Sequence, residues 1–448
     1  MAQKRALIIS TAFPPSIGSG VWRIRGFVKY LPRFGWEPYV LTRVPSPYHA
    51  PGAITGPTEI PGAVQVTRMP FADIRLLGKK LLLQVSGKGG VGSPTEVVQA
   101  QLPGRGARKL LWSLAHTFLF VPDTDIGWLP HAVRPGLSMI RKCGIHVIFS
   151  SAPPLTPHLV ALRLKKLGRR PWVADFSDPW TQHPDRWFSR LQIVRKPVDR
   201  LLETRILNQA DITIADSLPR SEGFTRLNVR GIEPKLRVIT NGFDPDEYAN
   251  VQRRPPTKLI ITYTGTFVSK AWRPEALFRG IAELISQGGI RRDRIVLRII
   301  EQYPQQTSKL ASEHSLSDIV QIQTSLPHQD AIREQVSASV LLFMMRNDPG
   351  GFGIYTGKLF EYLGARRPIL MLGPKKGVAA ELIREANAGT VVDSSNPQEI
   401  KEAILKYYRE FERTGDVSYS GKEEVIRRYE YPALAEKLAG ILDSLVPR

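Results

Sequence analysis

A glycine-rich loop runs from Gly350 to Gly357, Lys358 follows it directly, and Glu361 lies three residues further on. Glycines let backbone N–H groups approach an anion, and a helix N-terminus favours negative charge. A lysine at such a start can pair with phosphate, and a carboxylate one turn further in can accept from ribose hydroxyls. A strand-like run follows at Ile369–Leu372, so loop, helix and strand form one unit. Tyr263-Thr264-Gly265-Thr266, then Lys270 and Arg273, is a second candidate, because a glycine turn followed by two cations suits a diphosphate. Asp175-Phe176-Ser177-Asp178-Pro179-Trp180 puts two carboxylates at i and i+3 beside a tryptophan. That pattern suits sugar hydroxyls or general acid–base work, and equally a helix-capping Asp before Pro. Ser150-Ser151-Ala152-Pro153-Pro154 precedes His158, which is either an acceptor-side group or an ordinary helix histidine. Phe13–Gly20 is a glycine turn before a helix, without the G-x-G-x-x-G spacing of a dinucleotide site. Asn241-Gly242 is a tight-turn pair.

Such groups need a frame, and strand-like runs alternate with helical periodicity along the chain. The first series is Ala6–Ser10, Tyr39–Thr42, Val147–Phe149, Trp172–Ala174, Ile212–Ala215 and Arg237–Thr240. The second is Leu259–Thr262, Arg294–Ile300, Ile319–Gln323, Val340–Met345, Ile369–Leu372 and Thr390–Val392. Strands alternating with helices predict parallel sheets of βαβ units, so the fold class is α/β with two doubly wound, Rossmann-like domains. Arg253-Arg254-Pro255-Pro256 marks a linker, giving domains 1–250 and 251–424. A helical segment with apolar positions from Leu434 to Leu445 lies within the remainder, 425–448.

Composition narrows the function. The 448 residues include one cysteine, Cys143, which excludes an internal disulfide framework and a Cys-rich zinc site. No apolar run approaches the ~18 residues of a membrane span. Lys4 and Arg5 precede only Ala6–Ser10 before Pro14-Pro15, too short a stretch for a secretory leader, so a buried first strand and a cytoplasmic protein are expected. Asp123-Thr124-Asp125 and Asp244-Pro245-Asp246 have a metal–diphosphate pattern, but each lies beside proline as turns do, and no catalytic metal or other cofactor is expected. Lysine plus arginine total 62 against 41 acids, a net charge of +21, which calls for an anionic partner. The cations are spread over both halves, unlike the clustered face of a nucleic-acid module. Residues 70–130 break the strand–helix rhythm, and Lys79, Lys80, Arg105, Arg108 and Lys109 lie there among apolar residues. That stretch is either a solvated loop or an element on an anionic membrane surface.

Taken in order, the loop Phe13–Gly20, the Ser-Ser-x-Pro-Pro run, the Asp-Phe-x-Asp-Pro-Trp run, Val238–Asp244, Tyr263–Thr266 and Lys358–Leu370 resemble the retaining glycosyltransferases of family four. The resemblance spans almost the whole chain and is to the subgroup that builds bacterial surface polysaccharides and glycoconjugates. It implies the glycosyltransferase-B fold, a nucleotide-diphospho-sugar donor (UDP- or GDP-linked), a saccharide or lipid-linked acceptor, and a last helix packing on the first domain. Glu361 matches the second acid of the family's E-x7-E pattern, but position 353, where the first acid belongs, is Gly353. Donor contacts are implied at Gly18, Gly20, Gly265, Lys270, Arg273, Leu326, Tyr355, Thr356, Gly357, Lys358 and Glu361. Acceptor contacts are implied at Ser151, Asp175, Asp178 and Trp180, and the catalytic set expected is Asp178, His158 and Lys270. The implied reaction is metal-independent transfer with retention, in which the leaving diphosphate can itself take the acceptor's proton. A cytoplasmic enzyme is expected, and the cations outside the donor site, Lys79, Lys80, Arg105, Arg108 and Lys109 above all, suit peripheral contact with the anionic inner face of the membrane. A sugar-nucleotide epimerase of the same fold and an inactive family member, suggested by Gly353, are the alternatives.

Overall fold

In a computed structural model, residues 3–16, 18–45, 64–72, 119–182, 190–227, 229–265, 274–324 and 326–446 are described. The chain forms two compact units, one comprising residues 1–240 with 435–448 and the other residues 241–434. The division falls before the Arg253–Pro256 segment that the sequence suggests as linker.

Among the described residues, the first unit holds seven parallel strands in the order β3-β2-β1-β4-β5-β6-β7. These are β1 (Lys4–Ile9), β2 (Trp36–Arg43), β3 (Gln65–Met69), β4 (Val147–Ala152), β5 (Trp172–Phe176), β6 (Ile212–Ala215) and β7 (Leu236–Val238). The amino-terminal run is thus a central strand, pairing with β2 on one side and β4 on the other. Every residue of β4 and of β5 is buried, as expected where helices cover both faces of a parallel sheet. β3 was not anticipated from the sequence. It is a half-exposed edge strand of sequence Gln-Val-Thr-Arg-Met, without the apolar run that marked the others.

The second unit has six parallel strands among the described residues, in the order β10-β9-β8-β11-β12-β13. They are β8 (Leu259–Thr264), β9 (Ile295–Ile300), β10 (Val320–Gln323), β11 (Val340–Met344), β12 (Ile369–Gly373) and β13 (Gly389–Asp393). Side chains alternate across this sheet. Val340, Leu342 and Met344 join one core cluster, and Leu341 and Phe343 join the cluster on the other face. Both sheets reverse direction of growth at their first strand, which makes them doubly wound. The last helix, Tyr431–Asp443, ends in the first unit, where Asp443 accepts from Trp36 Nε1 at 2.8 Å and pairs with Lys4.

Candidate functional site

In open α/β sheets, ligands bind beyond the carboxyl ends of the strands. In the second unit that edge carries Thr264 and Gly265 from β8, and the helix Gly357–Ala365 that enters β12. Gly265 has φ +152°, a conformation that favours glycine, and its N–H donates to the Ile300 carbonyl at 2.8 Å. A β-carbon at this position would lie 1.7 Å from the Lys358 ammonium, so the lysine occupies the space directly over the glycine. Lys358 Nζ also stands 5.0 Å from the Tyr263 ring centroid and 3.4 Å from its hydroxyl. Burial depresses the Lys358 pKa to about 8, opposed by the Glu361 carboxylate.

The helix begins without a conventional cap. Thr356 has the extended backbone of an N-cap, but its side chain makes no capping bond, and its hydroxyl is buried without a partner. One turn in, Glu361 Oε2 accepts from Gln335 Nε2 at 3.1 Å. The same amide nitrogen donates to Thr264 Oγ1 at 3.1 Å, and Gln335 Oε1 is buried without a partner. Tyr362 completes the support, its hydroxyl accepting from Thr264 N at 3.0 Å. Sequence inspection missed Gln335 and Tyr362. Tyr362 lies within the Lys358–Leu370 run, where its spacing marks no role, and Gln335 lies in the separate helix His328–Ser337.

The remaining donor-side expectations distribute as follows. Gly357 opens the helix, while the Tyr355 ring packs 5.5 Å from Phe360. The acid nearest before Gly353 is Asp348, bound by Arg346 Nε at 2.8 Å. Leu326 is half-buried, just before the helix that carries Gln335. Lys270 and Arg273 lie outside the described residues.

In the first unit, Gly18 caps the helix Ser19–Tyr30 with φ +135° and open space around it. Gly20 lies in the first turn of that helix, where a β-carbon would meet only ordinary contacts, 3.5 Å and beyond. The acceptor-side expectations need correction at four positions. Asp175 is fully buried in a two-pronged ion pair with Arg23, at 2.6 and 2.9 Å, and accepts from Ser151 Oγ at 2.7 Å. Arg23 also donates to the Ile239 and Thr240 carbonyls, so helix, β5 and the end of β7 are tied together. Trp180 is buried and donates through Nε1 to Asp199 at 2.7 Å. His158 is buried too, bonded to Ser150 Oγ at 2.8 Å and stacked 4.4 Å from Phe176. Burial drives its pKa down to about 3, so it is neutral. Ser151, Asp175, Trp180 and His158 are therefore interior residues.

Asp178 is different, with its side chain 43% exposed. It pairs at 3.2 Å with Arg220, which also binds the buried Asp216 and the Ser177 carbonyl. Burial lifts the Asp216 pKa to about 7, against the pull of Arg220.

Both D-x-D sequences hold backbone N–H groups of the fold. Asp123 accepts from the backbone of Asp125 and Thr156, and Asp244 from Asp246 N, so each stabilises a turn or helix start.

Residues 244–424 match the family described as Glycosyl transferases group 1. The match lies within the second unit. The match includes Gly265, Gln335, Lys358 and Glu361. Solved structures are similar over nearly the full chain. A sucrose-phosphate synthase from Thermosynechococcus elongatus is 16% identical with a TM-score of 0.59, covering 99% of each chain. Anabaena HepE in complex with UDP-glucose is 14% identical with a TM-score of 0.58, covering 98% of this chain and 100% of that one. A glycosyltransferase from Rickettsia africae is 11% identical with a TM-score of 0.57, covering 99% of both. At these identities the likeness concerns the fold, which is the glycosyltransferase-B fold. No curated protein matches the chain.

Proposed function

We propose that the protein is a glycosyltransferase that moves a sugar from a nucleotide-diphospho-sugar to an acceptor hydroxyl with retention. The observation that carries this is the Lys358 ammonium held over Gly265 at the start of a helix, with Glu361 one turn in. A half-buried ammonium of depressed pKa gains by meeting an anion, and an uncapped helix start offers N–H groups to the same anion. Glu361, braced by Gln335, is the group to accept from the ribose hydroxyls. The group 1 match and a similar solved structure titled as a complex with UDP-glucose support a nucleotide-sugar donor.

In this function, charge develops on the leaving diphosphate as the sugar departs. Lys358 and the helix N-terminus stabilise it in place, lowering the barrier without a protein nucleophile. The departing diphosphate oxygen takes the acceptor's proton. Asp178, exposed beside Arg220, is the acceptor-side polar group, and Lys270 and Arg273 are assigned to the diphosphate. The acceptor is a saccharide or a lipid-linked saccharide of polysaccharide or glycolipid biosynthesis, reached from the cytoplasmic membrane face.

The test is a panel of UDP-, GDP- and dTDP-sugars with lipid-linked and free saccharide acceptors. Acceptor-dependent release of nucleoside diphosphate is the expected result. Conversion of a nucleotide sugar without acceptor would replace transfer by epimerisation, and no turnover with any donor would remove the enzyme assignment.

A further inference from the structure

Three charged side chains meet where β5 and β6 end. Phe176 pairs in register with Ala215, and the next residues of each strand, Ser177 and Asp216, stand at the carboxyl edge of the first sheet. Arg220, in the first turn of the helix Leu218–Thr225, joins them. Its Nη1 lies 2.5 Å from Asp216 Oδ2, 2.9 Å from the Ser177 carbonyl and 3.2 Å from Asp178 Oδ1. Two carboxylates thus share one guanidinium. Asp216 is fully buried, and its Oδ1 has no hydrogen-bond partner. A buried acid with an unbonded oxygen costs stability, whereas an apolar residue would fill the space without that cost. The fold alone gives no reason for a carboxylate there.

The segment after β5 supplies the reason. Ser177 donates from N and Oγ to the Ala152 carbonyl, at 3.0 and 2.9 Å. Trp180 is held by Asp199, and Thr181 by Glu203. Asp178 stands between these anchors, partly exposed, and its described side-chain partner is Arg220. Paired with Asp178 alone, Arg220 would neutralise it. With Asp216 taking Arg220 at the shorter distance, the trio keeps one net negative charge, and Asp178 stays a strong acceptor for a hydroxyl. We infer that Asp216 is a positioning residue: it engages Arg220 from the buried side and so leaves Asp178 oriented to accept from the acceptor's hydroxyl. The inference rests on the proposed transfer reaction and deepens its acceptor side.

Burial lifts the Asp216 pKa to about 7; Arg220 and Arg23 pull it down, and Asp178 pushes it up. Asp175, the remaining carboxylate beside Arg23, is bound to it. As pH falls through about 7, Asp216 takes up a proton and Arg220 turns to Asp178, so acceptor binding weakens.

The full chain is assayed at saturating donor with the donor–acceptor pair that turns over in the panel above, from about pH 5.5 to about pH 7.5, below the range in which Lys358 loses its proton. Acceptor KM should rise by about tenfold towards the acid end, the worth of one charge-assisted hydrogen bond, with kcat little changed. This profile needs no variant. Asp216→Asn keeps the shape and removes the charge. It should show the raised KM throughout that window, with the unfolding midpoint and the affinity for the donor's nucleoside diphosphate unchanged. Asp178→Asn should raise acceptor KM too, and adding Asp216→Asn should then cost nothing more, because Asp216 acts through Asp178. A flat acceptor KM across the window in the unmodified protein overturns the inference alone, as does an Asp216→Asn variant with an ordinary KM and profile. A double variant in which the two losses simply add overturns it as well. Absence of turnover with every pair removes the transfer reading, and this inference with it.

Discussion

Two cations, one buried and one half-buried, one in each unit, make a useful contrast. Arg23 and Lys358 both sit at the start of a helix near the carboxyl edge of a parallel sheet. Arg23 meets a carboxylate with two nitrogens and two backbone carbonyls with the rest of its fork, so its charge is compensated within the fold. Lys358 stands over an aromatic ring and a glycine, and burial lowers its pKa to about 8. A charge fastened to a carboxylate holds elements together, whereas an ammonium of lowered pKa beside a helix N-terminus favours an anion. Residue type and position along the motif do not distinguish them; the partners do.

The contrast breaks if Arg23 proves dispensable to stability. Arg23→Met leaves Asp175 buried and unpaired, so unfolding in denaturant should show a loss of about 3–5 kcal/mol. Adding Asp175→Leu should recover much of it, since the orphaned charge is then gone. Lys358→Met should do the opposite, changing stability little while weakening nucleotide-sugar binding by roughly 10–100-fold, the worth of a charge-assisted hydrogen bond. Calorimetry beside the same denaturation assay measures both, and a large stability loss from Lys358→Met would erase the distinction.

The pH dependence sharpens it. Lys358 is a base whose folded pKa, about 8, lies below its unfolded 10.5. Between those values the unfolded chain binds the extra proton, so this group makes the ligand-free protein more stable as pH rises across that window. Donor affinity runs the other way: it should be high below about pH 8 and fall above, with proton uptake on binding, because the anion needs the ammonium. Titration calorimetry in two buffers of different ionisation enthalpy detects that uptake. The smallest effects concern the braces. Glu361→Gln should weaken donor binding more than Asp178→Asn, and Gln335→Met by roughly 3–10-fold, the value of one neutral hydrogen bond. A larger loss from Asp178→Asn would put the donor on the first unit.

Much of this was legible beforehand for a local reason. β11 is apolar throughout, and β1 and β4 carry apolar runs at Ala6–Ile9 and Val147–Phe149, because both faces of a parallel sheet are covered, and such runs stand out in a sequence. β3 escaped because an edge strand needs no such run. The Lys358–Glu361 pair was legible because a helix fixes the offset between its own residues. His158 and Asp175 were misjudged because motif position says nothing of burial: both belong to strand–helix junctions, yet both are sealed inside.

The sequence by itself therefore determined the two doubly wound sheets and the loop–lysine–glutamate helix, since periodicity and spacing along a helix are local properties. Tertiary structure alone decided which charges were neutralised. Arg23 and Asp175 are 152 positions apart, Gln335 and Thr264 are 71 apart, and such partners meet only when strands fall into register. It also decided which way the helix Arg190–Gln209 faces. Its acids Asp199 and Glu203 face inward with Ile206 and Leu207, held by Trp180 and Thr181 from outside the helix.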